Sequence, residues 1–215
     1  MKKRYKKHKD TNLRVYILIA LILCAVITAV SFNNNYLSGI FENTYRNEYN
    51  KTNNIDKINE LYNGLNVVEK EYIWNSSLEY GNSPKGIVIH HAASDADVDK
   101  VDSIHKEKGW DGIGYHFYIE SDGTIYRGRP EEAIGAHVKG HNRNTLGISL
   151  QGNFEEKKLG EAQKDSLIKL MTYLSLKYPI GEIQGHGEIG QTLCPGKNIS
   201  VDEIEKQVIQ NLKDK

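Results

Sequence analysis

The 215-residue chain reads as an α/β protein: a mixed, mostly buried β-sheet flanked by helices and preceded by one N-terminal transmembrane helix. Three observations predict this. The run Gly86-Ile87-Val88-Ile89-His90 is apolar without alternation, as a strand covered on both faces would be. From there to the C-terminus, strand-like and helix-like segments interleave, the pattern of a sheet with helices packed on it. Upstream, residues 15–32 carry no charge and follow a basic head.

The head, residues 1–14, holds seven basic side chains against Asp10 alone, a net +6. The other 201 residues therefore carry a net −6, so the chain as a whole is neutral. A nucleic-acid binder needs its positive charge on the folded domain, and that class is excluded. The 18 residues of 15–32 are near the minimum for crossing a bilayer. Basic residues on the N-terminal flank place the head in the cytoplasm and everything after residue 32 outside. The segment reads as an uncleaved signal-anchor. A cleavable signal peptide is the rival, because Ala29-Val30-Ser31 is a small-residue cleavage site.

Residues 33–66, with eleven asparagines and no proline, read as an extracellular linker with a short helix around 55–61. Residues 67–215 form one domain of ordinary single-core size. Its elements follow in order. Residues 86–90 are a buried strand, and 98–108 a helix entered through Asp95 and Asp97. Residues 115–120 and 124–127 alternate around Ser121-Asp122-Gly123, a hairpin. Another apolar strand spans 145–151. In 161–178, Leu167, Leu170, Met171 and Leu174 mark one helix face, and Pro179 stops the helix. A short strand at 182–185 delivers His186, and an amphipathic helix at 201–212 closes the chain.

Three side chains stand out as metal ligands: His90 at the end of its strand, and His186 and Cys194 flanking one glycine-containing loop. Neutral imidazole and thiolate are good Zn²⁺ ligands, and a three-ligand site leaves the fourth position for water, the layout of a hydrolase. The only other cysteine, Cys24, lies in the membrane span and cannot pair with Cys194. Metal ligation therefore explains a lone exported thiol.

Further motifs occur in a fixed order. They are Ile87-Val88-Ile89-His90-His91, Gly109-Trp110-Asp111-Gly112-Ile113-Gly114-Tyr115-His116-Phe117 and Asp122-Gly123-Thr124-Ile125-Tyr126-Arg127-Gly128-Arg129. Gly135-Ala136-His137, Leu146-Gly147-Ile148-Ser149, Gly152-Asn153-Phe154, Gly185-His186 and Cys194-Pro195-Gly196 complete them. The series resembles the zinc-dependent N-acetylmuramoyl-L-alanine amidases, a family that includes T7-type lysozyme amidases and the peptidoglycan recognition proteins. The resemblance implies that family's fold and a Zn²⁺ cofactor held by His90, His186 and Cys194. It also implies hydrolysis, by zinc-activated water, of the amide joining N-acetylmuramic acid to L-alanine.

Tyr115 matches the family's catalytic tyrosine. Thr192 stands where phage-type members carry lysine and recognition-protein amidases carry threonine, and it is expected to assist. His91, Arg129, His137 and Asn142 are expected along the substrate groove, with Arg129 equally a candidate for pinning a turn. Strand alternation forbids His90 and His91 from facing the same site. His116 is expected as a structural hydrogen-bonder, and His105 as a solvated residue of the outer helix. The expected partners are peptidoglycan and, through the N-terminal helix, the membrane, with the enzyme a monomer on the cell-wall side. The alternative is a non-catalytic peptidoglycan-binding receptor on the same fold. A zinc peptidase cutting within the stem peptide is a third reading.

Overall fold

The computed structural model describes residues 55–214, with helices α1 (Ile55–Asn63), α2 (Val98–Glu107), α3 (Glu161–Lys177), α4 (His186–Ile189) and α5 (Val201–Lys213). The strands are β1 (Val67–Val68), β2 (Gly86–His91), β3 (Phe117–Ile119), β4 (Ile125–Arg127), β5 (Thr145–Leu150) and β6 (Glu182–Gly185). They form one mixed sheet in the order β1-β4-β3-β5-β2-β6.

β2 is buried along its whole length, because parallel partners flank it, β5 on one side and β6 on the other. Among the described strands, the one antiparallel pair is β3–β4, closed by a turn in which Gly123 adopts φ +90°. A Cβ there would sit 2.9 Å from the Ala162 carbonyl oxygen on α3, so the turn and the helix can meet only at glycine.

The period of two divides the sheet into unlike faces. Ile87 and Ile89 of β2, Phe117 and Ile119 of β3, and Leu146, Ile148 and Leu150 of β5 point into one apolar cluster. The α3 residues Leu167, Leu170, Met171 and Leu174, on the face read from the sequence, complete it with Ile204 and Val208 of α5. The opposite face presents Val88, His90, Gly147, Ser149 and Tyr118, and α2 covers only part of it with Val98 and Val101. The site lies on that second face.

One boundary differs from the sequence reading. Ile58, Leu61 and Tyr62 of α1 pack against the main apolar cluster, so this helix belongs to the folded unit and not to the linker expected over 33–66. Their i, i+3, i+4 spacing puts them on one side of the helix, and burying that side offsets the cost of ordering it. Residues 33–54 of the linker, the basic head and the span at 15–32 lie outside the described residues. Among the described residues, no helix is long and apolar enough to cross a membrane.

His116, just before β3, ties β5 to the segment after β4. Its Nδ1 accepts from Gly147 N–H and its Nε2–H donates to Ala133 O, each at 3.0 Å. Fully buried, it is held neutral, its pKa lowered from 6.5 to about 4 by burial. Protonation would place a hydrogen on the nitrogen that already receives one. The folded-state pKa is the depressed one, so this stabilisation is intact above pH 6.5 and is lost as the pH falls toward about 4. We expect the share of His116 to be about 3 kcal/mol over that window, read as the difference between the falling urea midpoints of the parent and of His116→Asn.

Candidate metal centre and active site

The C-terminal ends of β2 and β6 lie side by side, because Gly86–Ile89 pairs with Glu182–Gly185. His90 is one of the last two residues of the first strand and His186 follows the second. The turn after β6 is set by Glu188, whose Oε2 accepts the Gly185 N–H at 2.6 Å. The loop to Cys194 doubles back tightly: Gly187 N–H donates to Cys194 O at 2.6 Å. A Cβ on Gly187 would stand 2.8 Å from Thr192 O, so glycine permits that approach.

The result is a cluster of His90, His186 and Cys194 with one nitrogen or sulfur from each within 4.8 Å of the others. The His90 and His186 ring centroids are 4.7 Å apart, and His90 Nδ1 is 3.7 Å from Cys194 Sγ. A tetrahedral zinc would space nitrogen and sulfur ligands at about 3.6 Å, so the pair fits. Burial, and then His186 beside it, hold the His90 imidazole well below the ordinary histidine range. Burial also lowers His186. Both rings are therefore neutral and offer lone pairs. The Cys194 thiol is pushed up to about 11 by burial, partly offset by the His91 N–H that donates to its sulfur at 3.3 Å.

Tyr115 flanks the cluster, its ring 5.1 Å from that of His90. Burial, and then nearby Cys194, raise its pKa to about 12, so the phenol keeps its proton and is a donor. Thr192 is exposed, and its Oγ1 accepts the Cys194 N–H at 3.2 Å. Its hydroxyl proton remains free to donate.

The four residues expected in the groove each make defined contacts within the fold. His91 points to the opposite face of the sheet, stacked on Phe154, where its Nδ1 accepts the Phe154 N–H at 3.1 Å. The one-residue step along β2 forces this. Arg129 is buried, its Nε donating to Ile113 O and an Nη to Ile134 O, so it pins the turn after β4. Asn142 Oδ1 accepts from the backbone N–H groups of His137 and Val138, shaping their loop. His137 is also buried, its Nδ1 3.0 Å from His90 Nε2.

Two neighbours of the site escaped the sequence reading. His105 is buried and not solvated: its Nδ1 accepts the Gly114 N–H at 3.0 Å, and its ring packs on Tyr115 and Trp110. The signal was available, since Val98, Val101 and His105 fall at i, i+3 and i+7. Ser149, in register with His90 on β5, places its hydroxyl beside the Tyr115 phenol without completing a hydrogen bond to any group.

A pair of imidazoles and a thiol, converging at the end of a buried sheet with a phenol beside them, form a centre able to hold a metal ion. Residues 80–197 match the family model described as N-acetylmuramoyl-L-alanine amidase, and the chain belongs to that family. It is 36% identical over 122 residues to the endolysin of Escherichia phage T7, covering 53% of this chain and 81% of the endolysin. Peptidoglycan-recognition protein SC2 of Drosophila melanogaster is 33% identical over 125 residues, covering 52% of this chain and 68% of that protein. Among solved structures, the N-acetylmuramoyl-L-alanine amidase LysC from Clostridium intestinale superposes with a TM-score of 0.65 at 46% identity. That likeness covers 66% of this chain and 97% of LysC.

Proposed function

We propose that the protein is a membrane-anchored, zinc-dependent peptidoglycan amidase. It cleaves the bond between N-acetylmuramic acid and L-alanine as a monomer on the cell-wall side. The observation that carries this reading is the convergence of His90, His186, Cys194 and Tyr115 within a chain of the amidase family. The two histidines and the cysteine would hold the ion. Bound zinc would supply a Lewis acid and a water acidic enough to ionise near neutral pH. Tyr115, protonated over the working range, donates to the oxygen that gains charge as the amide carbonyl becomes tetrahedral. The Thr192 hydroxyl is a second donor at the exposed rim.

The anchor rests on the charge-free segment 15–32 behind a basic head. A carbonate wash of membranes tests it: the chain should stay in the pellet, whereas a cleaved signal peptide would release it.

The receptor reading draws on recognition proteins among the relatives, such as the PGRP-LCa and PGRP-LCx ectodomains solved with tracheal cytotoxin at 28% identity and a TM-score of 0.58. Cys194 favours the enzyme, since a receptor has no use for a thiolate ligand. Digestion of purified peptidoglycan by the full-length protein, with and without a zinc chelator, decides between them. Chelator-sensitive release of stem peptides beginning at L-alanine supports the amidase. Tight binding with intact stems would move the assignment to a receptor, and cuts within the stem would make it a peptidase.

A further inference from the structure

His137 sits against His90, one member of the candidate metal centre. It is 7% exposed, and its Nδ1 lies 3.0 Å from His90 Nε2. The two rings meet edge to face at 86°. Its seat is built for an imidazole: a Cβ added at Gly147 would come within 2.6 Å of the ring, and one at Gly135 within 2.4 Å. The Asn142 amide holds its backbone from the other side, accepting from the His137 and Val138 N–H groups at 2.7 and 2.8 Å. Two glycines and an amide thus place one ring against one nitrogen of His90.

The protons then follow. His90 Nδ1 is the nitrogen that faces the Cys194 sulfur. An ion shared by His90 and Cys194 takes the Nδ1 lone pair, so the one proton of the neutral ring sits on Nε2. That Nε2–H points at His137 Nδ1, which then accepts it, and the His137 proton sits on its own Nε2, a buried atom with no hydrogen-bond partner among the described residues.

We propose that His137 is a positioning residue for the metal centre, accepting a hydrogen bond from His90 and thereby fixing the tautomer and plane of that ligand. This rests on the zinc reading above and deepens it. Metal-bound histidines generally give their second N–H to a carboxylate, a carbonyl or water. Here the acceptor is a neutral imidazole. It orients His90 without bringing negative charge toward the ion, whose Lewis acidity an anionic acceptor would diminish. His137 touches neither ion nor substrate in this role.

The test is a zinc titration of the full-length protein, in competition with a chromophoric chelator, for the parent and three variants. His137→Phe fills the seat without an acceptor, and Gly147→Ala pushes the ring off its place. Both should weaken zinc binding about 10- to 100-fold. His137→Asn, whose Oδ1 falls near the position of Nδ1, should stay within about threefold of the parent. Histidine NMR of the zinc-loaded parent should show His90 metallated at Nδ1 and protonated at Nε2.

Metallation of His90 through Nε2 overturns the proposal, as does parent-like affinity in both His137→Phe and Gly147→Ala. An Asn variant as weak as the Phe variant also overturns it, since the side chain would then serve packing alone. If His137→Phe does not fold, the tautomer and the other two variants decide. Failure of the parent to bind zinc would sink the metal-centre reading itself. Parent binding with unaffected variants would sink only the role of His137.

Discussion

Cys194→Ser is expected to abolish amide hydrolysis and to weaken zinc binding by at least about a thousandfold. Serine keeps the size and the position but not the charge, because a hydroxyl stays protonated where a thiol gives up its proton to a metal. Nothing else within the cluster is an anion: its other members are two neutral imidazoles. Nor would the surroundings rescue the hydroxyl. The His91 N–H that faces the sulfur stabilises an anion, and with serine it would meet a neutral oxygen. The same chemistry gives the parent a pH signature. Burial holds the thiol at about 11 in the absence of an ion, so binding expels a proton across the neutral range. Zinc affinity should rise about tenfold per pH unit between about pH 6 and pH 8, because neutral histidines add no competing proton there. In Cys194→Ser that slope should flatten. Chelator competition at several pH values reads both numbers, and a serine variant that kept the affinity or the slope would remove Cys194 from the ligand set.

How much of this was legible before the structure depends on the range of the interaction concerned. The central strand, the hairpin at Ser121–Gly123 and the buried face of α3 were readable from periodicity and turn chemistry, which are local. So was the rule that His90 and His91 part company, although its consequence for His91 was not followed to the opposite face, where Phe154 receives it. The His90, His186 and Cys194 trio was legible as chemistry, because few roles suit a lone thiol near two strand-end histidines. What could not be read was which backbone groups would meet which side chains across the sheet. Arg129 and Asn142 look like binding residues in one dimension, since both are polar and lie between strands. Only the folded chain shows Arg129 donating to Ile113 O and Ile134 O, and Asn142 Oδ1 accepting from the His137 loop. Ser149 was hidden similarly: its partnership with His90 is a register between strands about sixty residues apart. The α1 helix was foreseen, but not its docking, which depends on an apolar surface assembled by residues more than a hundred positions later.

Tyr115→Phe should separate binding from chemistry. The phenol lies beside the metal cluster, its ring 5.1 Å from His90 and 5.3 Å from His105. His105 also accepts the N–H of Gly114, the residue before it, so the ring is held from two directions. Removing one oxygen leaves that packing intact and touches none of the three ligand atoms. Zinc affinity and thermal stability should therefore stay near the parent values. The rate should not. With the phenol held protonated up to about 12, Tyr115 is a donor at every pH at which the enzyme would work. Its contribution grows as charge develops on the substrate oxygen, so the loss should appear in kcat, by about a hundred- to a thousandfold, with KM little changed. A general base would behave otherwise: it would have to ionise, and a residue whose neighbours oppose ionisation through burial and an adjacent thiol is placed for the opposite task. A pH–rate profile for the parent should accordingly show no limb from Tyr115 below about pH 10. If Tyr115→Phe instead releases the metal, the phenol belongs to the ligand set. A rise in KM at constant kcat would make it a substrate contact without a part in the transition state.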